Sequence, residues 1–358
     1  MINPSLVIDK YLQIICDKVT ESINLVESII LYGSYGRDEG SWYQDNEGNY
    51  QPYNDYDILL ILDKKLPDNE LESLKKKLLE KIDIRWIDIS QMTKIELTKL
   101  KPSIFNYDLK YGSKVIYGDD SVLDLIPSIN SSELPLVEGE VLFITRLWTL
   151  LGCLDDKGFN IDRSDEDVRF FRNQMAKAVL AVIDVLLLQK KAYHTSYKQR
   201  IQNFIDFYPE KEELCEISRW ALKEKLFPKD KKMTAQEIEQ LYSKVHRHYF
   251  EEMYLLLSEY YDTPINNPEQ IEAIWKWNPE KLIYRIGATV FRWNLKKTRQ
   301  LLVNIAQIYI VCAYIEKKID KDYLTKGISL IQKLNKNISS ELTWDEARVE
   351  VAKLRMKV

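Results

Sequence analysis

Cysteine, histidine, net charge and long apolar runs are all in short supply in this chain, and each shortage closes off a class of function. The four cysteines, Cys16, Cys153, Cys215 and Cys312, are scattered without paired spacing. That excludes a Cys-rich zinc site and speaks against a disulfide framework. Of the three histidines, His194, His246 and His248, the last two flank one arginine. Side chains two apart diverge on a helix, so the pair reads as solvated helix surface rather than a metal site. A net charge of −4 gives no overall basic field, so nucleic acid is not the expected partner, although a local basic groove stays open. The most membrane-like stretch, LLVNIAQIYIVCAYI (301–315), carries Asn304 and Gln307 and is too short to span a bilayer. It reads as a buried helix. The first residues lack a basic start, an uninterrupted apolar core and a small-residue cleavage site. The expectation is a cytoplasmic protein with no membrane partner.

With 358 residues, 45% hydrophobic and 30% charged, the chain has room for two ordinary domains. Helical spacing over 5–27 is followed by a short apolar run at 28–33 that a glycine stops, as for a buried strand. A second such strand covers 55–62, a helix 67–82, a third strand 83–90 and a last one 112–119. Past about residue 136 strand signals nearly vanish. Helical patterns follow at 139–154, 164–191, 211–225, 235–261, 279–316, 320–335 and 341–356. The expected fold class is α+β: a small mixed β-sheet domain over 1–125, then an all-α domain over 136–358. The Ser- and Pro-containing stretch 124–135 reads as the linker.

Chemistry concentrates between residues 31 and 62, LYGSYGRDEG…NDYDILLIL. Gly33 directly after a buried strand allows a sharp turn and close approach to a ligand. Ser34 adds a hydroxyl, a helix starting there would aim free N–H groups at an anion, and Arg37 one turn on has a planar fork of donors suited to phosphate. Asp55 and Asp57, two apart in a strand, leave the same face beside a wholly apolar run. Two close carboxylates repel, and a divalent cation relieves the repulsion; Mg²⁺ favours carboxylates together with substrate phosphates.

This arrangement resembles the DNA-polymerase-β-like nucleotidyltransferase superfamily, whose pattern is Gly-Ser, a loop, then Asp-x-Asp at a strand start. Gly33, Ser34, Asp55 and Asp57 match it, and GSYGR is similar to the Gly-Ser-x-x-Arg form of minimal and aminoglycoside nucleotidyltransferases. The match covers roughly residues 29–90. It departs at Asn54, where serine is commoner, and in the long spacing, whose excess at about 41–53 reads as an inserted loop beside the site, either a surface excursion, which ranks first, or a part of acceptor choice. The resemblance implies two Mg²⁺ ions on Asp55, Asp57 and a third carboxylate. Asp83 and Asp88 compete for that place, and Asp83 ranks first because such sites use the start of the strand. It also implies a nucleoside triphosphate, read as ATP, held by Gly33, Ser34, Arg37 and a base from the helical part, with Lys198 the named candidate beside Arg172 and Lys177.

The implied reaction moves AMP to a hydroxyl of a small-molecule acceptor such as a sugar or aminoglycoside and releases pyrophosphate. For a cationic acceptor, Glu138, Glu140, Asp155, Asp156, Asp165 and Glu166 could line a pocket. AMP transfer to a protein and synthesis of a nucleotide messenger or oligonucleotide are the enzymatic alternatives, and a non-catalytic nucleotide-binding module is the alternative of another class. Trp275, Trp277, Trp293 and Tyr284 read as core packing.

Overall fold

The computed structural model describes residues 4–44, 47–53, 55–82, 84, 86–154, 158–159, 163–277, 295–315 and 317–357. The chain opens with α1 (Pro4–Ser22), β1 (Val26–Tyr32), a single helical turn α2 (Gly33–Gly36), a hairpin of β2 (Trp42–Gln44) and β3 (Tyr50–Pro52), and β4 (Tyr56–Leu62). Next come α3 (Asp68–Leu79), β5 (Ile87–Met92), two short helices, α4 (Lys94–Leu97) and α5 (Ile104–Tyr111), and β6 (Lys114–Gly118). Helices follow: α6 (Val137–Gly152), α7 (Asp165–Gln189), α8 (Tyr197–Phe207), α9 (Glu212–Leu226), α10 (Ala235–Tyr261) and α11 (Pro268–Trp277). The described remainder is α12 (Leu295–Cys312), a two-residue ribbon of β7 (Tyr314–Ile315) and β8 (Lys318–Ile319), α13 (Lys321–Leu334) and α14 (Trp344–Arg355). The class is α+β with a small mixed sheet and a mostly helical remainder, as expected from the sequence.

Two compact units emerge. The first comprises residues 1–138 and 187–229, the second 139–186 and 230–358. The first unit thus includes α8 and α9, which the sequence grouped with the helical part. Its four-stranded sheet runs β5-β4-β1-β6, with β4 and β5 parallel and the other pairs antiparallel. β4 is central, so both faces are covered and its side chains sort by parity. Tyr56, Ile58, Leu60 and Leu62 join one cluster with Ile15 and Val19 of α1 and Leu74 and Leu78 of α3. Leu59 and Ile61 join another with Ile30, Leu97, Leu109, Leu188 and Tyr193. A strand buried on both faces must be a continuous apolar run, which is why this segment was legible. The stretch taken for a linker is packed instead: Ile126, Ile129 and Leu134 are buried in the second cluster.

The second unit is a helical assembly around α7, whose Val168, Phe171, Met175, Val179, Val182 and Leu186 are buried as their spacing requires. Arg348 of α14 is 1% exposed and donates to the carbonyls of Leu151, in the last turn of α6, and Leu154, just past it. Trp275 is core, whereas Trp277 is exposed; Trp293 and Tyr284 lie outside the described residues. The histidine pair is not a solvated surface. His248 is buried, and His246 is half-buried with Nε2 3.0 Å from the Val311 carbonyl. Among the described residues no helix is long and apolar enough to cross a membrane.

Candidate functional site

Strand register decides what meets at the sheet's edge. Antiparallel pairing of β1 with β4 sets Tyr32 opposite Asp57, and parallel pairing of β4 with β5 sets Asp88 opposite Asp57 on the other side. Residues paired in register share a face, so Tyr32, Asp57 and Asp88 lie side by side on the face that carries Leu59 and Ile61. Asp55, two residues before Asp57 and exposed, leads into the same strand. β1 ends at the turn Gly33–Gly36. Gly33 has φ +68°, and a Cβ there would lie 2.7 Å from Asp57 Cγ. A side chain is barred twice over, by backbone sign and by the carboxylate that occupies its space. The turn and the aspartate strand expected to meet are in contact.

The turn is pinned from below. The Tyr35 ring stacks on Tyr56 of β4 with centroids 4.6 Å apart, and its hydroxyl donates to the Ser41 carbonyl at 3.1 Å. Ser34 is buried, and its carbonyl accepts from the Glu39 N–H at 2.9 Å. Within the stretch 41–53, β2 and β3 pair antiparallel, with Trp42 edge-on to Tyr35 at 6.0 Å and packed on the first cluster.

Electrostatics single out Asp57. Burial first, then Asp55 and Asp88, push its carboxyl up to about 7, against the pull of Lys225 and Arg37. Tyr32 is pushed up to about 12, mainly by burial, with Asp57 and Asp88 adding to it. Among the described residues no group of three or more His, Cys, Asp or Glu side chains is gathered tightly enough to hold a metal by itself. Asp83 lies outside the described residues; the carboxylate that β5 sets beside Asp57 is Asp88.

A basic patch stands nearby, and most of it was not foreseen. Arg37 is buried: its Nη1 lies 3.2 Å from Asp108 Oδ2 and its Nε 3.8 Å from Glu39 Oε2. Asp108 also takes Arg200 Nη2 at 3.2 Å and the Tyr193 hydroxyl at 3.1 Å. Arg37 is therefore held as one member of a charge network. Around the Tyr197 ring sit Arg200 at 4.7 Å, Arg37 at 5.0 Å and Lys225 Nζ at 5.8 Å from the centroid. Lys198 has an exposed side chain; its backbone N–H donates to Glu39. The buried lysine of this unit is Lys225 on α9, close enough to Asp57 to lower its pKa. No family model matches the chain, and no curated protein matches it.

The other sequence candidates fall elsewhere. Arg172 and Lys177 belong to the second unit. Glu138 accepts from the Ile104 N–H at 3.0 Å and Glu140 from the Tyr261 hydroxyl at 2.9 Å, which gives each a structural partner. Asp165 and Glu166 occupy the first turn of α7, where acids complement the macrodipole; Asp155 and Asp156 lie outside the described residues. Lys225 carries no local sequence signal, and Glu39, although two residues from Arg37, matches no position of the motif. A lysine followed by Leu226 and Phe227 on an amphipathic helix reads as a flank residue until the fold brings it home.

Proposed function

We propose that the first unit is a Mg²⁺-dependent nucleotidyltransferase that moves AMP from ATP to a hydroxyl of a small molecule and releases pyrophosphate. One observation carries the reading: the Asp57 carboxylate fills the space beside Gly33, with Asp88 in register next to it. A triphosphate resting on the 33–36 turn would therefore lie within reach of paired carboxylates.

The donor set fits the cation. Asp55, Asp57 and Asp88 are hard oxygen ligands, and burial, then the charges of Asp55 and Asp88, raises Asp57 to about 7. They are the residues that would hold Mg²⁺, which when bound neutralises them and screens the triphosphate. Ser34 and the backbone of the turn grip phosphate oxygens, and Lys225, buried beside Asp57, supplies positive charge where pyrophosphate charge develops. Arg37, Arg200, Asp108 and Glu39 hold the turn and α8 in place. In the reaction the acceptor oxygen bonds to the α-phosphorus, the bond from that phosphorus to the α–β bridging oxygen breaks, and a carboxylate of the cluster takes the hydroxyl proton.

The test is incubation with Mg²⁺ and α-labelled ATP, alone and with sugars and aminoglycosides, beside Asp57→Asn. Label on the small molecule together with pyrophosphate, lost at least 10³-fold in the variant, is the expected result. Labelled protein or nucleotide oligomers would reassign the acceptor. A second reading, nucleotide binding without transfer, is favoured by the lack of three converging metal ligands among the described residues. ATP binding with no pyrophosphate under any condition would establish it and sink the first.

A further inference from the structure

Trp86 is out of place for a tryptophan. It is 55% exposed, at the residue before β5, yet its indole is not loose: Nε1 donates to Asp88 Oδ1 at 2.9 Å. Register explains how it comes to be there. Tyr56 pairs with Ile87 and Asp57 with Asp88 in parallel, and Trp86 is the residue just before that pairing begins. Asp57 and Asp88 thus lie side by side, and the Trp86 indole is bonded to the second of them.

An exposed indole left to solvation alone gains nothing from being held so close to a carboxylate. A carboxylate at a strand edge beside a second one, however, rotates freely between rotamers unless something fixes it. An indole N–H is a donor only, so it can bond an ionised oxygen and cannot compete for a cation. Partners that hold one oxygen of a ligating carboxylate are what orient metal ligands generally. We propose that Trp86 is a positioning residue: its indole N–H fixes Oδ1 of Asp88, leaving Oδ2 as the oxygen that carboxylate offers to a divalent cation. The inference rests on the nucleotidyltransferase reading for the location of the cation and extends it to a residue outside the motif.

Mn²⁺ alone serves as the probe, because it stands in for Mg²⁺ and is counted directly by the spin-resonance signal of the free ion. Titrations compare the full-length protein with Trp86→Phe, which keeps an aromatic ring without the N–H, and Trp86→His, which restores a ring N–H donor. Asp57→Asn serves as the control for the site itself. The expected result is Mn²⁺ affinity weakened about tenfold in Trp86→Phe, in line with the loss of other ligand-orienting partners, and recovered to within a few-fold in Trp86→His. Mn²⁺ is paramagnetic and would sit next to the indole, so it should also quench part of the wild-type tryptophan emission, a part missing from Trp86→Phe. Equal affinity in wild type and Trp86→Phe, with Asp57→Asn weakened, would overturn the role of Trp86 and leave the metal site standing. Mn²⁺ left equally free by wild type and Asp57→Asn would overturn both. Because Trp86 is exposed, neither substitution removes core packing, and matching thermal melts of the variants verify this.

Discussion

Asp57 sits where an ionised carboxylate is expensive. It would ordinarily ionise near 3.8, but burial and its neighbours Asp55 and Asp88 raise that to about 7. Between those values the folded chain holds a proton that the unfolded chain has released. Stability from this group is therefore complete below pH 4, declines as pH rises and is gone above 7. The full difference corresponds to about 4 kcal/mol, and partial solvation reduces what a variant recovers to roughly 1–3 kcal/mol. Asp57→Asn is accordingly expected to abolish transfer yet raise Tm by several degrees at pH 8, with little change at pH 4. Mg²⁺ should raise the wild-type Tm at pH 8 and leave the variant unmoved. Thermal melts at both pH values, with and without the cation, check this, and a variant less stable at pH 8 refutes it. Gly33→Ala acts from the other side of the same contact. Its Cβ would enter the Asp57 carboxylate and must also adopt φ +68°. The expected outcome is a loss of at least about 2 kcal/mol in urea unfolding together with weaker ATP binding.

The single-turn helix after β1 depends on what α8 does for it, and Glu39 is the link. Its two oxygens accept from Ser196 Oγ at 2.8 Å, the Tyr197 N–H at 2.8 Å and the Lys198 N–H at 3.3 Å. An acid at a helix N-terminus satisfies donors that have no partner within the helix and meets the positive end of its dipole. Glu39→Ala leaves those N–H groups unpaired in a buried place, and a loss of about 2 kcal/mol is expected, with faster hydrogen exchange at the start of α8. Glu39→Gln, which retains an acceptor, should lose about half as much. None of this was visible in the sequence, because Glu39 and Ser196 are far apart along the chain and a capping acid from another element leaves no spacing signal. What was visible follows from period. β1 and β4 carry apolar runs, Ile29–Leu31 and Ile58–Leu62, buried on both faces, and α7 and α10 carry long stripes between polar ends. The start of β5 bears on which carboxylate stands beside Asp57. Starting that strand at residue 83 favoured Asp83, whereas the observed start at Ile87 sets Asp88 opposite Asp57. A strand's alternation can be read from sequence, but its first paired residue depends on a neighbour's register.

At the scale of the whole molecule, one titrating group in each unit is expected to respond to pH in the opposite direction to the other. In the first, Asp57 makes folding less favourable as pH rises. In the second, burial lowers His246 from an ordinary 6.5 to about 4, opposed only by its bond to the Val311 backbone. A carbonyl only accepts, so the neutral ring carries its proton on Nε2 and donates it there. Tyr242 and Phe250 rings at 6.0 and 4.8 Å complete an apolar surround that would not solvate an imidazolium. The unfolded chain binds a proton at this histidine near 6.5 and the folded chain does not until about 4. Its contribution is therefore whole above 6.5 and is lost as pH falls towards 4, amounting to about 2–3 kcal/mol. Acidification from pH 7.5 to 5 should thus weaken the second unit while relieving the first. Hydrogen exchange followed by peptide mass can read the two separately. Amides of α10 and α12 are expected to lose protection at pH 5 relative to those of β1 and β4, after correction for intrinsic exchange rates. His246→Leu removes the titrating group and keeps the apolar contact, so it should flatten the acid-side loss in the second unit alone. An unchanged slope in that variant would move the acid sensitivity to another group.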